Sequence, residues 1–309
     1  MRFFIFIFAG LFSHLLFATD AISLLQEMSQ AVKNKNYQGT FVYQQGNKLE
    51  TMQVTHLLEN KHERELLSSL TGQAREVFRD NQAVICVIPG AASIDKRISK
   101  KGFSGRFIIS PQQLSKTYQF KKTKITRIAG RDCQTIEIKP KDKLRYGYTL
   151  CIDLKDALPL RIDMNNHQNK RLSRIMFTQL NTNQGIQMPI PRQIQNRTKL
   201  NVSRHKPATS MPYTESNWKI NKIPNGFQIQ FYEQHQNKHA QQALEHFVFS
   251  DGLVSISVYI EKADKNILKG FSHIGAVNIF ARSHQDYQIV AVGEVPSETL
   301  KQLANNFSK

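Results

Sequence analysis

Short runs of alternating apolar and polar residues dominate this chain. After an Asp251-Gly252 turn that accepts positive φ, Val254, Ile256, Val258 and Ile260 share one face of a strand and Ser255, Ser257 and Tyr259 the other. A second strand is expected at 288–292. Pro296 then suits the first position of a helix whose Leu300, Leu303, Ala304 and Phe307 form a buried stripe. Toward the N-terminus, residues 21–35 carry Leu24, Leu25, Met28 and Val32 at helical spacing, and Asn36-Tyr37-Gln38-Gly39 ends that helix. Strands are expected at 40–43, 49–57, 64–70, 74–79 and 83–88, punctuated by Gln45-Gly46-Asn47 and Pro89-Gly90. Ser110-Pro111 opens a short helix, and strands resume at 125–128, 133–139, 146–153, 159–164 and 171–180. Many short strands with regular turn signals predict an α+β fold, mainly antiparallel β, rather than a parallel α/β sheet.

Arg2 precedes an apolar run over 3–17 that is broken only by Ser13 and His14, the pattern of a secretory signal peptide. The run is shorter than the ~20 residues that a spanning helix needs. Cleavage fits after Ala18 (signal 1–18) or after Ala21, and the sequence does not choose between them. The mature protein is therefore expected outside the inner membrane. Residues 201–214 hold Pro207, Pro212, Ser203 and Ser210 without apolar periodicity and read as a linker between domains at 22–200 and 215–309.

Charge sharpens this division. The chain carries a formal +18, with thirty Lys/Arg against fourteen Asp/Glu between Ile22 and Leu200, and eleven against nine from Asn201 onward. A basic domain ordinarily suggests nucleic acid, but export and the lack of a helix-turn-helix, zinc-finger or RNP pattern argue against it. In an envelope the available polyanions are lipid head groups and lipopolysaccharide phosphates.

Candidate chemistry is sparse. A hairpin turn centred near Asp142 sets Cys133 opposite Cys151 for a disulfide, with three buried thiols (Cys86 included) as the alternative. His235 and His239 would share a helix face as metal ligands, but the zinc-protease glutamate is missing between them. Asp153, Asp156 and Asp163 flank a Leu158-Pro159 turn and read as turn carboxylates. The sequons at Asn196 and Asn201 carry little weight. No nucleophile elbow, phosphate loop or dinucleotide fingerprint occurs, so no enzyme, cofactor or resident metal is expected.

Several segments in order resemble the RseB/MucB family of periplasmic regulators. In the C-terminal part they are Trp218, Ile223-Pro224-Asn225-Gly226-Phe227, Ser250-Asp251-Gly252-Leu253-Val254-Ser255, Gly275-Ala276-Val277-Asn278 with Arg282, and Val292-Gly293-Glu294-Val295-Pro296. In the N-terminal part they are Asn36-Tyr37-Gln38-Gly39-Thr40-Phe41-Val42-Tyr43, Arg75-Glu76-Val77 and Leu158-Pro159-Leu160-Arg161, while 91–123 departs most. The resemblance implies a LolA/LolB-like open half-barrel with covering helices, followed by a smaller α+β domain. It implies binding to the periplasmic segment of an RseA/MucA-like anti-sigma factor, shielding that segment from a DegS-type site-1 protease. Release by lipopolysaccharide or by the acyl chains of a mislocalised lipoprotein is implied as well. Asn278 and Arg282 are the expected partner-binding residues, and homo-oligomerisation is left open. The alternative is a lipid or lipoprotein carrier of the LolA/LolB type.

Overall fold

A computed structural model describes residues 13–81, 83–87, 93–98, 107–189, 201–204, 212–237, 242–263 and 268–309. Helix α1 (Ser13–Asn34) buries Leu25, Met28 and Val32, the stripe expected from the sequence. Its start runs ahead of both expected cleavage points; residues 1–12 of the expected signal lie outside the described set.

Two antiparallel meanders follow. The first is β1 (Tyr37–Gln45), β2 (Lys48–Glu59), β3 (His62–Ser69), β4 (Glu76–Asp80), β5 (Ala83–Val87) and β6 (Ser93–Ile98). After α2 (Pro111–Leu114) comes the second: β7 (Tyr118–Ile128), β8 (Arg131–Pro140), β9 (Gly147–Asp153), β10 (Pro159–Asn165) and β11 (Arg171–Asn181). The two are joined where β1 pairs with β11, Gln38 opposite Asn181, so β1 lies between its sequence neighbour and a strand far down the chain. Among the described strands the order β6-β5-β4-β3-β2-β1-β11-β10-β9-β8-β7 leaves β7 at an edge, and α1 packs against it. This is the expected open half-barrel with helical cover. The basic run at 121–124 is part of β7, where exposed Lys121 and Lys124 guard the edge against pairing with another chain.

The linker reading changes at its first residues. Asn201–Arg204 forms β12, which pairs in parallel with β6 and extends the sheet to twelve strands. Segment 205–211 and Asn196 lie outside the described residues.

The second unit holds β13 (Lys219–Ile220), β14 (Gln228–Asn237), β15 (Gln242–Ser250), β16 (Ser255–Lys262), β17 (Gly270–Ile274), β18 (Val277–His284), β19 (Tyr287–Gly293), α3 (Ser297–Asn305) and β20 (Phe307–Ser308). Its six-stranded sheet has the order β14-β15-β16-β19-β18-β17 and buries Phe247, Phe249, Ile256 and Val258 against Leu300 and Leu303 of α3. Pro296 stands one position earlier than expected, as an extended N-cap (ψ 140°) before Ser297. Trp218 belongs to this core, with edge contact to Tyr287 at 5.3 Å.

The β8–β9 hairpin corrects one expectation of register. Its turn centres one residue later than 142, so Cys133 faces Asp153 and Thr135 faces Cys151. The two cysteines are nevertheless joined, diagonally on one face, with Cα atoms 5.4 Å apart, inside the span a disulfide bridges.

Candidate functional site

A cavity of about 660 Å³ lies where the hollow side of the half-barrel meets the second unit. Period-two spacing turns Ile162 and Met164 of β10, Tyr148 and Leu150 of β9, and Ser173 and Ile175 of β11 toward it. Met28 of α1 contributes as well, together with Phe107 and Ile109. Tyr43, Tyr148, Ile162 and Ile175 remain half-buried although they are large and apolar, because the sheet is too open for one helix to cover. The far wall comes from the second unit: Gly252–Ser255, Ser257, Val277, Gly293 and Glu294. A largely apolar hollow of this volume matches small-ligand cavities of ~300–1,000 Å³.

The wall is held in place by a buried ionic clasp. Arg145, fully buried in the β8–β9 loop, donates to Asp251 Oδ2 at 2.8 Å, to Asp142 Oδ1 at 3.0 Å and to the Asn225 carbonyl. Its guanidinium lies 4.9 Å from the centre of the Phe227 ring. Asp251 is completed by the Tyr118 hydroxyl (2.9 Å) and by the backbone amides of Leu253 and Val254 (2.9 Å each). Burial pushes the Tyr118 phenol well up, and the neighbouring carboxylate pushes it further, so Tyr118 stays a neutral donor. Gly226, at φ +82°, approaches so closely that a Cβ there would meet Thr117 Cγ2 at 2.5 Å. Thr299 Oγ1 bonds the Leu144 carbonyl at 2.9 Å and adds a further tie.

Most of the C-terminal family-like segments therefore build this joint. Asn278 Nδ2 donates to the Tyr146 hydroxyl (3.0 Å) and to the Val295 carbonyl (2.8 Å), so it binds the other domain of its own chain. Arg282 donates to the carbonyls of Ala304 (3.0 Å), Phe307 (2.6 Å) and Ser283 (3.3 Å), closing the end of α3; all three contacts are internal. The helical pairing of His235 with His239 fails: His235 sits in β14 opposite Leu244, and His239 lies outside the described residues. Asp153 and Asp156 both hold Arg131, and Asp163 takes Arg174 in a two-pronged pair at 2.6 and 2.7 Å. These carboxylates lock strands together. Among the described residues no group of three or more His, Cys, Asp or Glu could hold a metal.

One arrangement had no sequence signal. On the outer face of the second sheet, Glu233 Oε1 bonds His246 Nδ1 (3.0 Å) and His246 Nε2 faces Ser257 Oγ (3.1 Å). These distances suit a nucleophile, base and orienting acid. However, Ser257 lies mid-strand, paired with Val248 on one side and Val292 on the other, so the strand amides around it belong to ladders. The trio links three neighbouring strands as a polar relay. Around it Phe231, Val248, Tyr259 and Val290 form a half-exposed apolar face, continuous through Ser257 with the cavity wall.

Comparison with known proteins covers nearly the whole chain. Residues 20–200 match the MucB/RseB N-terminal domain and residues 212–308 the MucB/RseB C-terminal domain. The sigma factor AlgU regulatory protein MucB of Pseudomonas aeruginosa is 28% identical over 293 residues, spanning 93% of this chain and 90% of that protein. The sigma-E factor regulatory protein RseB of Escherichia coli K12 is 27% identical over 298 residues, spanning 92% and 89%. Among solved structures, the complex of Pseudomonas aeruginosa MucA and MucB aligns with a TM-score of 0.72 at 26% identity, over 94% of this chain and 98% of that one.

Proposed function

The chain belongs to the MucB/RseB family, and from that premise we propose that it is a periplasmic regulator of an envelope-stress sigma factor, binding the periplasmic segment of a MucA/RseA-like anti-sigma protein. The observation that carries this reading is the match of both domains in order, together with likeness to a MucB chain solved with MucA. Bound in this way, the protein shields the segment from site-1 proteolysis and keeps the sigma factor captive. The half-exposed apolar face around Tyr259 and Val290 suits a polypeptide partner, whereas Asn278 and Arg282 act through the fold behind it.

Acyl chains entering the interdomain cavity would weaken that capture, provided they bind the free protein better than the complex. A carrier using the half-barrel alone fits less well, because the second domain supplies one wall of the hollow. Cleavage after Ala18 suits the packing: it keeps buried Ala21 and the Asp20–Lys122 ion pair in the mature chain, with domains at 22–204 and 215–309 and a linker shortened to 205–214.

The test is capture of the mature protein by an immobilised anti-sigma periplasmic segment, with digestion of that segment by a site-1 protease followed in parallel. Retention and slowed cleavage are expected. A protein that neither binds the segment nor slows its loss would overturn the proposal.

A further inference from the structure

One hairpin holds a third of the chain's net positive charge. Residues 115–143, which contain β7, β8 and the turns beside them, carry nine lysines and arginines against three acids, six of the eighteen net charges. Two of those acids are engaged: Glu137 pairs with Lys139 at 3.0 Å, and Asp142 receives the buried Arg145. Lys116, Lys121, Lys124, Arg127 and Lys143 are exposed and make no ion pair with a described residue.

Guarding an edge strand takes one or two charges. Here the whole length of the strand is basic. β7 has eleven residues, a span of about 35 Å at ~3.3 Å per residue. A bulge between Lys122 and Ile125 reverses the side on which its residues project: Lys121 stands opposite Glu137, and Arg127 opposite Asp132, an odd number of positions along β8. Lys121 and Arg127 therefore lie on opposite sides of the strand, with Lys124 in the bulge between them. The edge, rather than either face of the sheet, gathers the charge. Ile125, 59% exposed, adds an apolar contact among these cations.

A straight ridge of this kind cannot enclose one molecule. Ammonium groups on flexible stems are point charges without the fixed fork of a guanidinium, and they suit a flat, diffuse anionic surface. An exposed apolar residue among them can enter a head-group boundary. We propose that the β7 edge is a membrane-docking ridge, which holds the protein peripherally against a bilayer containing anionic phospholipid. This goes beyond the anti-sigma reading and uses a surface outside the hollow. A protein held in this way searches a thin layer for a membrane-tethered partner, whose effective concentration rises accordingly.

The test is co-sedimentation of the mature protein with vesicles of phosphatidylcholine, alone or mixed equally with phosphatidylglycerol. Binding is expected to the anionic vesicles only, with release in about 0.5 M salt. Lys121→Gln/Lys124→Gln/Arg127→Gln should bind about a hundredfold more weakly, at roughly fivefold per cation near an anionic surface. Lys48→Gln/Lys61→Gln/Lys170→Gln removes three exposed cations outside the hairpin and should stay within about threefold of the wild type. Both variants change exposed side chains and should keep the wild-type Tm. Soluble short-chain phosphatidylglycerol, below micelle formation, should not release the protein from vesicles.

No binding to anionic vesicles, equal binding to neutral ones, or an equal loss in both variants would overturn the proposal. Release by the short-chain lipid would overturn it as well, by placing the lipid in a site for one molecule. Weakened anti-sigma capture by the β7 variant, with vesicle binding unchanged, would assign the ridge to an acidic polypeptide instead. Anti-sigma capture measured without vesicles should be the same in all three proteins, so that reading stands whichever way the vesicles fall.

Discussion

Arg145→Met is the most informative perturbation of the joint, because it removes a charge while keeping most of the side chain's bulk. In the wild type both Arg145 and Asp251 have no side-chain exposure, and their nearest N–O separation is 2.8 Å. The substitution leaves the Asp251 carboxylate buried, and removing one partner of such a pair costs about 3–5 kcal/mol. Asp251 keeps three donors, the Tyr118 hydroxyl and the amides of Leu253 and Val254, which places the expected loss near the lower end. A loss of about 3 kcal/mol corresponds to roughly 6–12 °C in Tm for a chain of this size. Because the clasp ties two separately cored units, the loss should also split one cooperative transition into two. Trp218 fluorescence reports the second unit, while far-UV circular dichroism reports both. The double variant Arg145→Met/Asp251→Leu leaves neither charge behind and should be more stable than Arg145→Met alone. The reasoning fails if Arg145→Met lowers stability by less than about 1 kcal/mol with a single unchanged transition, or if the double variant is weakened by the full sum of the single effects.

Three further outcomes are expected. Alkylation of the unfolded, unreduced protein should modify Cys86 and spare Cys133 and Cys151, and reduction should cost about 3 kcal/mol of stability, given the 18-residue separation; three modified cysteines in mass spectrometry would exclude the bridge. Burial pushes the Glu63 carboxyl up, but hydrogen bonds from His56 and Arg79 outweigh this and bring it down to about 2. Its folded value thus lies below its unfolded one, so its contribution is present above the ordinary carboxylate range and is lost as pH falls toward 2. Glu63→Gln should flatten the acid limb of a pH–stability curve, and parallel curves for the two proteins would refute the assignment. Arg282→Ala loses the Ala304 and Phe307 carbonyl contacts and should cost about 1–3 kcal/mol. Anti-sigma capture by the folded fraction should stay intact; weakened capture at an unchanged Tm would instead make Arg282 a partner contact.

The strands were legible because each needs only local alternation: β16 begins one residue after Val254, and β9 and β10 lie within a residue of their expected bounds. The joint was not. Asp251 and Asn225 read as turn residues, which they are, but no local pattern says that the carboxylate of one and the carbonyl of the other meet Arg145, 106 and 80 positions away. Arg145 itself sits in a charged loop that looks solvated. The open half-barrel was expected from the resemblance, but the residues lining its hollow were not legible: Ile162, Ile175 and Tyr148 alternate as any sheet face does, and only the openness of the sheet separates a cavity wall from a closed core. His235 misled because i, i+4 spacing is suggestive only once a helix is granted, and the segment is a strand.

The seam between β1 and β11 has a consequence in time rather than in space. Either meander can zip up from neighbouring hairpins, but Gln38 cannot meet Asn181 until some 140 intervening residues have emerged alongside it. Until then both margins of the seam present unsatisfied backbone and greasy side chains, the state in which newly made chains stick to one another. A chain assembled in this order would itself be among the first casualties when folding assistance runs short.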